Sequence, residues 1–349
     1  MEKRLNFVVF IAGANNFVKT VCMKHNRFNS MSRLVAAMLA LMLLLSLASC
    51  GGGEIETEGV TETENEALPA YKTVTGIAEM EEISTGAIDS DYAFLCEAGS
   101  LEAVAGLRAT ERMYPASMTK LMTFIVAYEN APDHSALIEI TKDIKNQYAD
   151  ASRYGIDVGD FMSAEQMMYA LLLVSDTDAA LGLAYHVAGN EAAFVELMNR
   201  KAAELGLTNT HFANVTGLHD KDHYSTAVEM AIILDAALNI PLGRTILTTE
   251  TYATYLKYYK NGVLTDYRMT FYNTTLRDRF ADCDVSTTAP NGTRVLGGKT
   301  GYTVEADRCL ATLAQAADGR EYLLITGHAS SGENSARDAV KLYNTYTGQ

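Results

Sequence analysis

Tyr114-Pro115-Ala116-Ser117-Met118-Thr119-Lys120 sets a serine and a lysine three residues apart, just after a chain-breaking proline. From Ser117 onward Leu121, Phe124, Ile125 and Tyr128 recur at helical spacing. Positions i and i+3 share a helix face, so the lysine stands beside the serine one turn on. A serine hydroxyl is a poor nucleophile unless a base lies next to it. A lysine is that base only when burial or neighbouring cations lower its pKa. The N–H groups of a first helical turn can also stabilise an oxyanion. Alone the pattern says little: Ser-x-x-Lys arises by chance about once in a chain this long, and an exposed polar pair is the ordinary alternative.

Two further elements lie downstream. Lys299-Thr300-Gly301 sits inside Gly297-Gly298-Lys299-Thr300-Gly301-Tyr302-Thr303, where the chain looks extended. Lysine and threonine there suit a carboxylate, and the glycine lets a ligand backbone lie close to the strand. Ser175-Asp176-Thr177-Asp178 closes an apolar stretch between two helical segments. Taken singly, one is a glycine-rich surface strand and the other a polar helix junction. Together they stand in the order Ser-x-x-Lys, Ser-Asp-Asn type, Lys-Thr-Gly, at 117, 175 and 299.

In that order the sequence resembles the serine penicillin-recognising enzymes, and among them the D-alanyl-D-alanine carboxypeptidases. The flanks are similar too: Tyr169-Ala170-Leu171-Leu172-Leu173 before Ser175, Asp178-Ala179-Ala180 after Thr177, Thr216-Gly217-Leu218-His219-Asp220, and His223-Tyr224-Ser225-Thr226-Ala227. The resemblance covers about residues 77–349. It implies that Ser117 attacks the D-Ala-D-Ala carbonyl to form an acyl-enzyme, that Lys120 takes its proton, and that Ser175 relays a proton to the leaving amine. Lys299 and Thr300 bind the terminal carboxylate, with Gly301 and Tyr302 lining the site. Backbone N–H groups of Ser117 and Tyr302 form the oxyanion hole. The implied partners are peptidoglycan stem peptides ending in D-Ala-D-Ala, with β-lactams as covalent inhibitors, and no metal or organic cofactor is expected. One position departs from the pattern. The motif ends in Thr177 instead of asparagine, and a hydroxyl has a shorter reach than a carboxamide. A β-lactamase of the same superfamily and a catalytically weak wall-binding lipoprotein are the competing readings. The first lacks a clear deacylating glutamate between Ser175 and Lys299.

The rest of the chain bounds the reading. Residues 34–45, Leu-Val-Ala-Ala-Met-Leu-Ala-Leu-Met-Leu-Leu-Leu, follow Arg33 and are too short to span a bilayer comfortably, as in a secretory leader. They end in Leu47-Ala48-Ser49-Cys50, which resembles a lipoprotein cleavage box with Cys50 as the lipidated residue. Residues 1–30 fit poorly as the start of such a leader, and Met31 or Met23 fits better. Residues 51–76 read as a flexible acidic tether, its first part holding six glutamates and no base. The catalytic domain is expected over 77–349, the lipid on Cys50 tying it to the membrane. The chain ends 48 residues after Gly301, so the second β domain and C-terminal anchor of some relatives are not expected.

The whole chain carries a net charge of −15 although residues 1–50 are basic, so the body is strongly acidic, which argues against nucleic acid as a partner. Of five cysteines, Cys96, Cys283 and Cys309 fall in the body, an odd number with no zinc spacing, and read as buried free thiols. His219 and His223 flank Asp220 and Asp222 but lie off any clear helix, a weak metal pattern. Tyr252, Tyr255, Tyr258 and Tyr259 read as packing and surface residues.

The expected fold is α+β, of the β-lactamase/transpeptidase-like kind: an antiparallel sheet flanked by helices, with a mostly helical insert. Tyr92 to Cys96 is a short strand. Ser163-Ala164-Glu165-Gln166 and Thr226-Ala227-Val228-Glu229 read as capping boxes, and Asn190 to Gly206 as a capped helix. Arg294 to Tyr302 is extended. Cys309 to Ala316 and Tyr322 to Thr326 form a hairpin around Asp318-Gly319, and Ser335 to Tyr346 a closing helix.

Overall fold

The computed structural model describes residues 72–145 and 151–348. The leader, Cys50 and the tether up to Tyr71 lie outside the described residues. Main-chain pairing starts at Thr75, whose N–H donates to Leu101 at 3.1 Å and whose carbonyl accepts from Ala103 at 2.9 Å. That is two residues ahead of the expected onset at Ile77.

In chain order the elements are β1 (Glu81–Glu82), β2 (Tyr92–Glu97), β3 (Ala103–Leu107), a 3₁₀ turn (Ala116–Thr119), α1 (Lys120–Asn130), β4 (Leu137–Glu139), a one-turn helix (Lys142–Lys145), β5 (Asp160–Ser163), α2 (Ala164–Leu173), α3 (Thr177–Ala188), α4 (Glu191–Glu204), α5 (Ala227–Asn239), α6 (Pro241–Thr248), β6 (Thr251–Lys260), β7 (Val263–Tyr272), a π-helical turn (Thr275–Ala281), β8 (Arg294–Thr303), β9 (Asp307–Gln315), β10 (Glu321–Ala329) and α7 (Gly332–Tyr346).

The main sheet runs β1-β3-β2-β10-β9-β8, antiparallel except for the short β1–β3 pair, and leaves β8 at an edge. Its strands are apolar on both faces because both are covered. Cys309, Ala311, Leu313, Leu323 and Ile325 face one core, shared with α1 to α5. Leu310, Ala314, Tyr322 and Leu324 face the other, under α7 and the π-helical turn. Register carries this alternation onto β8. Lys299 lies opposite Ala311 and Gly301 opposite Cys309, so both belong to the helical face, while Thr300 lies opposite Leu310 and belongs to the α7 face.

Local chemistry sets most boundaries. Ser163 Oγ accepts from the Gln166 N–H at 3.1 Å, and Gln166 Oε1 accepts from the Ser163 N–H at 2.8 Å, completing the first capping box. Asn190 caps α4 at the Ala193 N–H (2.9 Å). The second expected capping box is only half made: Thr226 caps the Glu229 N–H at 3.1 Å, but the Glu229 carboxylate turns to the Asn209 N–H and the Thr210 hydroxyl. α7 begins at Gly332, ahead of the expected Ser335, because Ser331 caps it at the Asn334 N–H (3.0 Å).

The α+β assignment holds and the insert is mostly helical, but it also carries a sheet that the sequence reading did not anticipate. β4-β5-β6-β7 form a second, four-stranded antiparallel sheet. Its hairpin β6–β7 pairs over ten residues a side about Asn261-Gly262, whose φ values of +51° and +78° are those of a type I′ turn. Tyr252 stacks on Tyr169 with ring centroids 3.7 Å apart, whereas Tyr255 and Tyr259 are exposed. Cys96 and Cys309 are buried thiols; Cys283, expected to be buried, is partly exposed.

Candidate active site

Ala116, at φ +46°, turns the chain into the 3₁₀ turn that runs straight into α1. Lys120 follows Ser117 by one turn, and its Nζ lies 3.1 Å from Ser117 Oγ and 2.8 Å from the Thr216 carbonyl. Lys120 is 1% exposed. Burial drives its pKa from 10.5 down to about 7, against the pull of the Asp176 carboxylate. Near neutrality much of Lys120 is therefore the free amine. Its lone pair can accept the Ser117 O–H while one of its own N–H groups donates to Thr216.

The Thr216 carbonyl reaches Lys120 because residue 217 is glycine. Gly217 sits at φ +84°, and a Cβ there would fall 1.9 Å from the Ala116 carbonyl oxygen. Asn214 Oδ1 pins this loop by accepting from Thr216 N–H, Thr216 Oγ1–H and Gly217 N–H (3.1, 2.9 and 2.8 Å). His223 braces the same turn from below. Its Nδ1 accepts from the Ala213 N–H at 3.2 Å, so Nε2 carries the proton and donates to Thr119 Oγ1 at 2.7 Å. Burial pushes its pKa down to about 3. His223 is thereby a neutral packing histidine, and His219 packs edge-on against Tyr114. Among the described residues no three His, Cys, Asp or Glu side chains converge as metal ligands.

A second serine–lysine pair faces the first. Lys299, fully buried, donates from Nζ to Ser175 Oγ and to the Thr300 carbonyl, both at 2.9 Å. Burial, then the cations Lys120 and Arg279, hold its pKa well below the ordinary lysine range. Ser175 occupies the junction of α2 and α3 at φ +58°. Asp176 caps α3, accepting from Ala179 N–H and Tyr154 N–H (2.8 and 2.7 Å). Burial raises its pKa to about 6, opposed by those two donors and by Lys120.

Thr177 is the first residue of α3 and is 1% exposed. Its N–H donates to the Ser152 carbonyl at 3.0 Å, and its hydroxyl makes no hydrogen bond with the described residues. Thr300 Oγ1 lies 3.1 Å from Thr274 Oγ1 on the α7 face. Gly301 does not simply leave room for a ligand backbone: a Cβ there would meet the Pro115 carbonyl at 2.9 Å and Ala116 Cβ at 3.1 Å, so its bareness lets the segment bearing Ser117 dock on β8. Tyr302 is half-exposed at the sheet edge, with the Arg308 guanidinium 3.7 Å above its ring.

Ser117, Lys120, Ser175 and Lys299 thus form two hydrogen-bonded pairs, while Thr300 and Tyr302 lie on the opposite face of the same strand. Sequence reasoning did not single out the Thr216 carbonyl, Asp176, Thr274 or Arg279. Asp176 lay inside a quoted motif and was readable as a helix cap; a carbonyl leaves no signal in a side-chain pattern.

A serine held against a buried lysine on the first turn of a helix, a second such pair bridging a helix junction to a sheet edge, and helices on both faces of an antiparallel sheet define the serine penicillin-recognising class. The family model for D-alanyl-D-alanine carboxypeptidase matches residues 78–328. D-alanyl-D-alanine carboxypeptidase DacF of Bacillus subtilis is 29% identical over 311 residues, 88% of this chain and 69% of that protein. DacC of Escherichia coli is 31% identical over 173 residues, 47% of this chain, and the match spans only 43% of that protein's length. The crystal structure of the Streptomyces K15 DD-transpeptidase superposes with a TM-score of 0.66 at 26% identity, covering 75% of this chain and 98% of that one. The chain belongs to the D-alanyl-D-alanine carboxypeptidase family of hydrolases, whose members act on cell-wall peptides and bind β-lactams.

Proposed function

We propose that this chain performs its family's reaction through Ser117, trimming peptidoglycan stem pentapeptides. Ser117 Oγ attacks the carbonyl carbon of the penultimate D-alanine as its proton passes to Lys120 Nζ. The developing oxyanion is held by the N–H groups of Ser117 and Tyr302. Cleavage of the C–N bond releases D-alanine, its amine taking a proton through Ser175, which Lys299 orients. Water then attacks the ester, gives a proton to the basic group, and restores Ser117 with release of the shortened peptide. Lys299 and Thr300 hold the terminal carboxylate.

The observation that carries this reading is a buried lysine, brought near neutrality by burial, 3.1 Å from a serine hydroxyl at a helix start. The leader, Cys50 and the acidic tether support export and a lipid anchor, with residues 77–349 as the catalytic domain. Thr177 supports a slow enzyme more than an inert one, because the two serine–lysine pairs do not depend on it.

The test is incubation of the purified domain with a pentapeptide muropeptide and mass-spectrometric detection of D-alanine, with benzylpenicillin labelling alongside. One D-alanine is expected per peptide, together with a stable adduct that Ser117→Ala abolishes. An undiminished adduct on the alanine variant, or turnover of nitrocefin at the rate of a β-lactamase, refutes the assignment. For the anchor, a membrane-derived N-terminal peptide that retains residues before Cys50 refutes lipidation there.

A further inference from the structure

The four-stranded sheet β4-β5-β6-β7 turns one face to the core and the other to solvent. Ile138, Met162, Leu256 and Phe271 point inward and are buried. The register brings Leu137, Phe161, Tyr255, Tyr259 and Leu264 together on the other face, with at least one from each strand. Phe161 meets Tyr259 edge-on, ring centroids 5.7 Å apart. Among the described residues nine large apolar or aromatic side chains stand exposed, and six of them lie on this sheet or just ahead of β5: Leu137, Val158, Tyr255, Tyr259, Val263 and Leu264. A cluster of that density differs from the single apolar residues that any protein surface carries.

The β6–β7 hairpin is also a cationic island. Residues 251–272 hold Lys257, Lys260 and Arg268 against Asp266 alone, three cations less one acid for a net of +2, in a chain whose net charge is −15. Lys257 takes Asp266 at 2.8 Å. Lys260 and Arg268 have no acid partner among the described residues. The tip, Tyr259-Lys260-Asn261-Gly262-Val263-Leu264, contains no acid, and Tyr259 and Val263 are 62% and 65% exposed. Aliphatic side chains at the point, tyrosines behind them and a lysine beside them suit a membrane–water interface. There the aliphatics reach hydrocarbon, the tyrosines lie at headgroup level and the amines meet phosphates.

We propose that the β6–β7 hairpin is a membrane-docking element whose tip inserts among the headgroups of an anionic bilayer. Charge selects that occupant. An anionic surface attracts this face and repels the acidic remainder, so it both binds the domain and orients it. A second copy of the chain would instead bring two cationic faces together. Chain length favours the bilayer as well. The anchor proposed at Cys50 leaves 24 residues, 51 to 74, before main-chain pairing begins at Thr75. A coil of that length has a reach of roughly 27 Å, which holds the domain near the surface and lets a weak contact suffice. Docking there fixes how the active site faces the wall. Tyr252 stacks on Tyr169 of α2, and Gln166 of α2 donates to Thr254 Oγ1 at 2.7 Å and to the Tyr255 carbonyl at 3.0 Å. α2 runs directly into the junction that carries Ser175. This docking does not depend on the carboxypeptidase reading.

The test uses the mature chain from Cys50 onward without its lipid, so that binding reports the protein surface alone. It is mixed with vesicles of phosphatidylcholine, or of phosphatidylcholine and phosphatidylglycerol. The chain has no tryptophan, so Val263→Trp places a single reporter at the tip. Cosedimentation is expected with the anionic vesicles and much less with the neutral ones. The Val263→Trp emission is expected to shift to the blue on the anionic vesicles and to be quenched by brominated acyl chains. Val304→Trp, at an equally exposed position between β8 and β9, is expected to do neither. Lys260→Gln and Arg268→Gln should each weaken binding to anionic vesicles about fivefold, and Val263→Ser with Leu264→Ser about tenfold. An unchanged unfolding midpoint shows that each variant is folded. Failure to bind anionic vesicles, quenching at position 304 in place of 263, or binding indifferent to all of these substitutions overturns the proposal. So does a concentration-dependent dimer, with no vesicle binding, that Val263→Ser with Leu264→Ser dissociates, because the face then belongs to a second copy.

Discussion

If Lys120 is the base, the rate of Ser117 acylation must follow the fraction of Lys120 that is unprotonated. A lysine titrating at 10.5 is neutral in about one molecule in three thousand at pH 7. With burial pushing the pKa to about 7, about half the molecules carry the free amine there. Acylation by a fluorescent penicillin, followed from pH 5 to 9, should therefore rise through a midpoint near 7. The rate at pH 6 should be about a fifth of that at pH 7, and the rate at pH 8 nearly double it. Asp176→Asn separates Lys120 from other groups that titrate in the same range. Asparagine keeps an acceptor for the Ala179 N–H and so still caps α3, giving up only the second acceptor that serves the Tyr154 N–H. It removes the one negative charge that opposes the depression of Lys120, so the midpoint should move below 7 and the rate at pH 6 should rise relative to that at pH 7. A rate that is flat between pH 6 and 8, or a midpoint that moves upward in Asp176→Asn, refutes Lys120 as the base.

Three further outcomes follow from the same geometry. The pKa of Lys120 is lower folded than unfolded, so the unfolded chain holds an extra proton between about pH 7 and 10.5, and this lysine's cost to stability is full below that window and fades through it; Lys120→Met should abolish acylation yet raise stability at pH 7 by about 1–4 kcal/mol, with the gain shrinking toward pH 10 in denaturant titrations. Gly217→Ala drives a Cβ into the Ala116 carbonyl and should cost about 2–4 kcal/mol of stability and slow penicillin acylation at least about tenfold, whereas unchanged kinetics at full folding would mean that the Ala116–Gly217 contact does not set the position of Ser117. Thr177→Asn should raise kcat/KM on a D-Ala-D-Ala peptide and Thr177→Ala lower it, each by up to about tenfold, and indifference to both would remove Thr177 from substrate contact.

What was legible in the sequence was whatever local chemistry decides. Ser163 and Asn190 announce helix starts because their side chains satisfy N–H groups a helix leaves free, and both caps form. Thr226 shows the limit. Its own bond is local and forms, but the Glu229 carboxylate was drawn to Asn209 and Thr210, a tertiary competitor that no four-residue pattern contains. The hairpin about Asn261-Gly262 was written plainly in an Asn-Gly pair between runs of alternating residues. Taken one by one its tyrosines read as packing and surface residues; only their period along the two runs marks them as strand residues. Arg279 is the opposite case. Nothing local marks it, and only its burial beside Gly301 and Gly332 sets it apart.

The two serines of the site share a backbone feature that bears on how the fold holds them. Ser175 itself sits at φ +58°, and Ala116, just before Ser117, at φ +46°. Side-chain-bearing residues avoid this region at a cost of about 1–2 kcal/mol each, so surrounding structure must fix them. Around Ala116 that structure is contact without side chains: Gly217 meets its carbonyl and Gly301 its Cβ, and either glycine with a methyl group would push it away. Around Ser175 it is hydrogen bonding. The Asp176 N–H donates to Ala170 at the end of α2, while the Asp176 carboxylate ties the start of α3 to Tyr154. One serine is thus held by exclusion and the other by attachment. The glycines at 217 and 301 tolerate no replacement that keeps Ser117 in place, whereas Asp176→Asn keeps the α3 cap and the main-chain bond to Ala170 and gives up only the tie to Tyr154. A substitution at 217 should therefore change where the nucleophile stands, and one at 176 only how its base titrates.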